Sequence, residues 1–454
     1  MTTLQYEPRL RLWIDGVELP LAGDRVLELE VEESTDAASS FRMTFDMSPV
    51  SDAAEGDWSL LERGPFQEAT GGPTLELMSR ITIGFVLAPD PGAGEVIAEN
   101  VFDGYVTEMH PVFGEARVED SRLEVSGLDA SCLMHFQTVV KTWSGKSDSE
   151  IAATIFQKYG FKTDGTSIEK TAPVRELVRG AMVQRCTDAE FLRLLARRNG
   201  FETYVELEQG EITEAAHSTV QTRGHFHAPG TEGREVDTTK VQPELQLFPR
   251  DAPSLLEFDA RWESHQPTRM RSWRLNELTR LIERKDTTDP GYPRLGQDPR
   301  EKIIGARLKQ IEFGGPAMDP SEGAKAVNAD TALNVLEASE IFSGRTPHHS
   351  TELEAMNTAA MREADWFVRG AGVVRAERYP AIVRPRRPVG LNGAGHLLNG
   401  IWYCLSVCHR WARNQHLAEG AESEQVSRRY EADVRLARHG LGPGAGAASR
   451  EAAS

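Results

Sequence analysis

Thr187-Asp188-Ala189-Glu190-Phe191-Leu192-Arg193-Leu194-Leu195-Ala196-Arg197-Arg198-Asn199-Gly200-Phe201 reads as one complete helix, with its start, buried face and stop all encoded. Thr187 and Glu190 form a capping box, in which each side chain accepts from the other residue's backbone N–H. Phe191, Leu194 and Leu195 recur at helical spacing and form the expected buried stripe. Gly200 supplies the left-handed residue that ends such a helix at little steric cost. The same grammar stands earlier, from Ser147 to Phe161: Ser147 and Glu150 as the box, then an apolar stripe, then Gly160-Phe161.

Outside these helices the period changes to that of strands. Leu10, Leu12 and Ile14 alternate up to an Asp15-Gly16 turn, followed by Leu27, Leu29 and Val31 and by Phe41, Met43, Phe45 and Met47. Such a run of short strands argues for a sandwich or barrel, and Glu28, Glu30 and Glu32 make its other face wet and acidic. Ser51 to Gly72 reads as a long loop. Residues 209–249 show no pattern of a stable core. A second β region opens at Leu255, Leu256 and Phe258, and a helix is expected near Ala324 to Phe342. A third capped helix is expected from Thr351 to Gly370, with Thr351 and Glu354 as its box, Leu353, Met356, Ala360 and Phe367 inward, and Gly370 as its stop. Strands return over 371–435, and the Gly/Ala-rich stretch from Gly440 to Ser454 reads as a flexible tail.

The chain has 454 residues, 39% of them hydrophobic, enough for two or three cores. A formal net charge of −18 disfavours nucleic acid and anionic membranes as partners. Four cysteines, Cys132, Cys186, Cys404 and Cys408, fit a reducing compartment without disulfides. Neither a secretory leader nor an apolar run of ~20 residues is present, so synthesis and assembly in the cytoplasm are expected.

Five segments, that helix among them, stand in a telling order. Ser39-Ser40-Phe41-Arg42-Met43-Thr44-Phe45 comes first, then the Phe102-Asp103-Gly104-Tyr105-Val106-Thr107 segment, then Val125-Ser126-Gly127-Leu128-Asp129. The helix with Asp188, Phe191, Leu192 and Gly200 follows, and near the end stands Asn399-Gly400-Ile401-Trp402-Tyr403-Cys404-Leu405-Ser406-Val407-Cys408-His409. Together they resemble the phage late control protein D family, the baseplate hub of contractile tails and the N-terminal half of VgrG-type spikes. In the last segment Gly400, Val407 and His409 match the family outright, while Asn399, Trp402 and Cys404 replace its Ser, Tyr and Val. The resemblance spans roughly residues 5–435.

The resemblance implies a mainly β fold with an α/β insertion: two tube-like barrels per subunit in a trimeric ring. The first barrel would occupy 1–135, the insertion and an irregular segment 136–249, and the second barrel 250–290 and 350–438. A helix-bearing insertion would fill 291–349, and the tail 439–454. It further implies a structural subunit, not an enzyme, of a virion tail or injection particle, with no catalytic, cofactor or metal residues. Its partners would be two further copies of itself, an inner tube protein, a separate spike or spike tip, and other baseplate proteins. Such a subunit would have no nucleic-acid specificity and no membrane insertion. The alternatives are a tail-borne cell-wall hydrolase and a soluble carbohydrate-binding β protein.

Residues that invite chemistry read blandly. His225 and His227, with His217 near, would share one face of a strand, but no further zinc ligand stands at signature spacing. His348-His349 is a weaker version of the same idea. Cys404 and Cys408 would start ~13 Å apart along a strand, too far to ligate one ion, and read as small buried hydrophobes. The loop Gly390 to Gly395 lacks the helix and lysine of a phosphate cradle and reads as a turn. No carboxylate pair, nucleophile elbow or H-E-x-x-H stands out. Arg384-Pro385-Arg386-Arg387-Pro388 is the sharpest basic patch, either a solvated loop or a subunit contact with the acidic first barrel.

Overall fold

The computed structural model describes residues 5–19, 22–47, 75–89, 95–113, 121–171, 182–208, 222–229, 241–248, 253–266, 269–276, 279–292, 294–308, 350–416 and 425–442. The loop expected at Ser51–Gly72 and the helix expected at Ala324–Phe342 lie outside them. Among the described residues no helix is long and apolar enough to cross a membrane.

Both β regions belong to one curled, 13-stranded sheet that is antiparallel except for one pair. From one edge, its first members are Leu255–Trp262, Val368–Arg375, Gln425–Arg438 and Gly400–His416. The order continues through Val26–Ser34, Ser40–Asp46, Arg122–Asp129, Ile97–Val112, Arg80–Pro89 and Tyr6–Ile14. The strands of the two expected regions thus pair edge to edge in one sheet. Val26–Ser34 pairs with Gly400–His416 through seven residue pairs, from Ser34–Ser406 to Glu28–Ala412, joining segments almost 400 residues apart.

Alternation places the cores. Along Val26–Ser34 the residues Leu29, Val31 and Glu33 are buried while Glu28, Glu30 and Glu32 face water. Leu12, Phe41, Met43, Phe45, Ile83, Phe85 and Val125 fill the first core. Each such side chain contributes about 1.5–3 kcal/mol on full burial. Gly104 and Gly127 lie where Ile97–Val112 crosses Arg122–Asp129: a Cβ on either would sit 2.1 Å from a carbonyl oxygen, of Leu128 and Tyr105 respectively. Any larger residue would force the strands apart.

Within Gly400–His416 the pairing with Gln425–Arg438 shifts between Cys404 and Ser406, leaving Leu405 as the extra residue of a bulge. The bulge reverses the parity of the strand. Trp402 and Cys404 before it, and Val407 after it, enter the second core, while Trp411 enters the first. Cys408, on the other parity, is half-buried and donates to Glu30, so only Cys404 is the buried thiol expected of both.

Both early capping boxes form, at helices Asp148–Lys158 and Asp188–Asn199, and Gly200 ends the second at φ 63°. The buried face of that helix is Phe191, Leu192, Leu195 and Ala196, whereas Leu194 is 37% exposed. The expected stripe was rotated by a fraction of a turn. The helices pack on Trp143, Phe161 and Phe226.

Three other expectations are corrected. The described parts of 209–249, residues 222–229 and 241–248, do contribute structure: Thr222–His227 pairs with Glu202–Leu207, and Gln242–Gln246 joins the large sheet beside Pro388–Asn392, burying Phe226 and Leu245. The third helix runs Ser350–Asp365, with Thr351 inside it and Glu354 paired to Lys285, so neither acts as a box. Leu353 and Phe367 are buried and Ala360 packs, half-buried, against the small core of Met270, Met361 and Ala364, while Met356 is only half-buried and Ala359 is buried instead. Gly370 lies beyond the helix in Val368–Arg375, where a Cβ would meet the Phe258 ring at 2.6 Å. Finally, Gly440–Leu441 pairs with Asp298–Pro299, and Arg438 and His439 are buried, so ordered chain extends into the expected tail.

Candidate functional site

The most elaborate polar site lies where the two halves of the sheet meet the insertion. Arg384 leaves the segment before Pro388–Asn392, its backbone held by both ends of the Gln242 amide: its N–H donates to Gln242 Oε1 at 2.7 Å, and its carbonyl accepts from Nε2 at 2.9 Å. The guanidinium is 2% exposed. It donates to Glu33 at 2.9 Å, to the Asn100 carbonyl at 2.7 Å and to Glu206 at 3.3 Å, with Glu99 at 3.7 Å. One cation thus ties the first half of the sheet, the insertion and the second half together. Arg384 is therefore no solvated loop residue, and its charge is matched within the chain.

Glu33 also accepts from, or shares a proton with, His409 Nε2 at 3.2 Å, and His409 Nδ1 meets the Tyr430 hydroxyl at 2.8 Å. Phe85 stacks on Tyr430 with ring centroids 4.1 Å apart and seals the group. Burial pushes the Glu33 carboxyl up, but Arg384 and then His409 outweigh it and hold the group at about 2. Burial likewise disfavours charge on Arg384, yet Glu33, Glu206 and Glu99 raise its pKa. A cavity of about 20 Å³ between Glu33, Asp103, Asp129, Glu206 and Arg384 has the size and polar lining for one water.

Arg386 adopts φ 63°, donates to the Ser34 carbonyl, and lies 3.9 Å over the Tyr204 ring. His225 stacks on Tyr204 at 4.4 Å, and His227 contacts the Tyr204 hydroxyl at 3.2 Å. Burial, the largest influence, pushes the His225 pKa down to about 3. These histidines are thus parts of an aromatic stack. Arg387 is far more open than Arg384, 37% exposed and 3.6 Å from Glu206. Beside it, the Tyr403 hydroxyl donates to Glu202 at 2.7 Å, and burial pushes that carboxyl up to about 7 despite the hydrogen bond.

The other singled-out residues hold joints of the framework and do not converge on one pocket. Phe102 packs edge-on against Phe41 at 5.1 Å. Asp129 accepts from the N–H groups of Ser39 at 2.6 Å and Ser131 at 3.0 Å. Asp188 accepts from Lys158, Tyr159 and Gln184 at 2.6, 2.9 and 2.7 Å, fastening the two capped helices to a strand. A Cβ on Gly200 would lie 2.8 Å from Ala359 Cα, so this position also admits the third helix. Gly400 begins the junction strand at φ 122°, and Trp402 donates to the Leu398 carbonyl at 2.9 Å. Val407 and His409 lie just past the bulge. His348 and His349 lie outside the described residues.

Sequence reasoning missed Glu33, Glu206 and Tyr430. For Glu33 a signal existed: it occupies the dry parity of a strand whose other three glutamates share the wet one.

The site and sheet define a mainly β scaffold with a buried polar junction. Among solved structures the fold is similar to the 43 kDa tail protein of prophage MuSo2 from Shewanella oneidensis, at TM-score 0.51 and 12% identity over 95% of this chain and 98% of that one. It is also similar to the tail protein from Neisseria meningitidis MC58, at TM-score 0.50 and 10% identity over 96% and 98%. No protein-family model matches the sequence, and no curated protein does.

Proposed function

We propose that this chain is a baseplate hub or spike-base subunit of a contractile phage tail or a phage-derived injection system. It acts as a homotrimer that adapts a three-fold spike to a six-fold inner tube. The observation that carries this reading is a fold shared over nearly the whole length of two tail proteins, insertion included. The mechanism is geometric. Each chain offers two β regions, so three copies offer six to a six-fold neighbour. Load applied at one half passes to the other through seven paired residues and through Arg384. Spike, inner tube and other baseplate proteins are its partners, and its role is structural.

Sedimentation of the purified protein, alone and mixed with the tube and spike proteins of the same particle, tests the reading. A trimer that captures both is expected; a monomer that joins neither overturns it.

A further inference from the structure

Beyond the last long strand the chain forms a short strap, residues 438–442, all of them buried. Gly440 and Leu441 pair with Pro299 and Asp298, and the Gly442 N–H donates to the Leu397 carbonyl at 2.9 Å. Arg438 donates to the carbonyls of Leu295 and Asn399 at 3.1 Å, of Leu398 at 3.4 Å and of Gly442, and no carboxylate meets it among the described residues. His439 packs on Trp366 and Tyr292, with ring centroids 3.6 and 4.8 Å away. Neither of its ring nitrogens has a hydrogen-bond partner among the described residues. A buried polar group left in this condition is a place where structure is easily released.

The charged groups nearby all favour the neutral ring. Arg294 and Arg438 are the cations that act on it. Asp365 and Glu301 are engaged by Arg294 at 3.0 and 2.7 Å, the Tyr292 hydroxyl contacts Asp365 at 3.5 Å, and Arg300 donates to the Ala364 carbonyl at 3.1 Å. We propose that residues 438–442 are an acid-sensitive latch, in which protonation of His439 frees the strap from residues 294–300 and 397–399. An imidazolium would bring two N–H donors and a third positive charge into a site that offers it no acceptor. Burial, and then Arg294 and Arg438, hold the closed-state imidazole well below its usual 6.5, so the closed strap is stable above that value and loses stability as pH falls through it. Asp365 acts in the opposite sense. Burial raises its carboxyl to about 6, so its contribution is lost as pH rises through 6, and it resists opening in acid. The latch stands apart from the hub reading.

Hydrogen exchange read by mass spectrometry at pH 7.5 and pH 5, corrected for intrinsic amide rates, tests this in the parent and in His439→Phe. Opening of 438–442 in the parent, relative to the variant, should rise about 30-fold between the two pH values, tenfold for each unit below 6.5. Asp365 is present in both proteins, so the ratio isolates His439. If circular dichroism at pH 7.5 shows the larger ring disturbing the fold, His439→Leu replaces it in the same comparison. A ratio that does not change with pH overturns the latch. So does an equal rise in the core strand Ser40–Asp46 of the parent, which would mark global unfolding.

Discussion

At the residue scale, two buried carboxylates are pushed in opposite directions. Glu33 is held at about 2, so its contribution to stability is present above its unfolded value of 4.5 and is lost as pH falls towards 2. That contribution is on the order of 3 kcal/mol. Arg384→Met should destabilise the protein by about 3–5 kcal/mol in urea unfolding at pH 7, since it strands Glu33 in the interior. Adding Glu33→Gln should recover part of the loss, and strict additivity of the two would show that they do not interact. Glu202 behaves in the reverse sense. Its folded value, raised to about 7, makes its contribution fullest below 4.5 and lost as pH rises through 7. Glu202→Gln keeps an acceptor for Tyr403 but carries no charge, so it should melt higher than the parent at pH 8 and match it at pH 4.5. A parent-like melt at pH 8 would mean the carboxylate is better solvated than its burial implies.

At the element scale, whatever is written locally was legible. Both capping boxes and the Gly200 stop are set by residues within a few positions of each other, so Thr187, Glu190 and Gly200 could be read directly. The inward face of a helix depends on what lies beneath it, and Leu192 displaced Leu194 because Phe191 and Leu195 meet Trp143 and Phe226 from distant strands. Leu195→Asp should therefore cost several kcal/mol, while Leu194→Asp should stay within about 1 kcal/mol in the same thermal melt. Equal losses would put the helix back in the register first expected. Gly370 misled for a similar reason: it looks like a helix stop but makes room for Phe258 in a sheet. Gln242–Gln246 was illegible because its edge is completed by a partner remote in sequence, Pro388–Asn392.

At the scale of the whole molecule, the continuity of the sheet changes what the basic segment does. Alternation predicted two β regions correctly, but a pairing between Glu28–Ser34 and Ser406–Ala412 carries no local signal, and so neither did the partners of Arg384. Arg384 is spent inside the chain, and Arg386 is engaged by Tyr204 and Ser34, so reversing either would test folding and not assembly. Arg387 separates the two. Its pair with Glu206 is partly exposed, a kind typically worth ~0–1 kcal/mol, so Arg387→Glu should barely move the melting temperature. If this side chain also faces an acidic neighbour in the ring, the same variant should weaken trimer formation in low salt. The difference from the parent should fade as salt shortens the screening length to ~3 Å near 1 M. Sedimentation across a salt series reads both effects at once. Association that is indifferent to the substitution at every salt concentration removes Arg387 from the subunit contact.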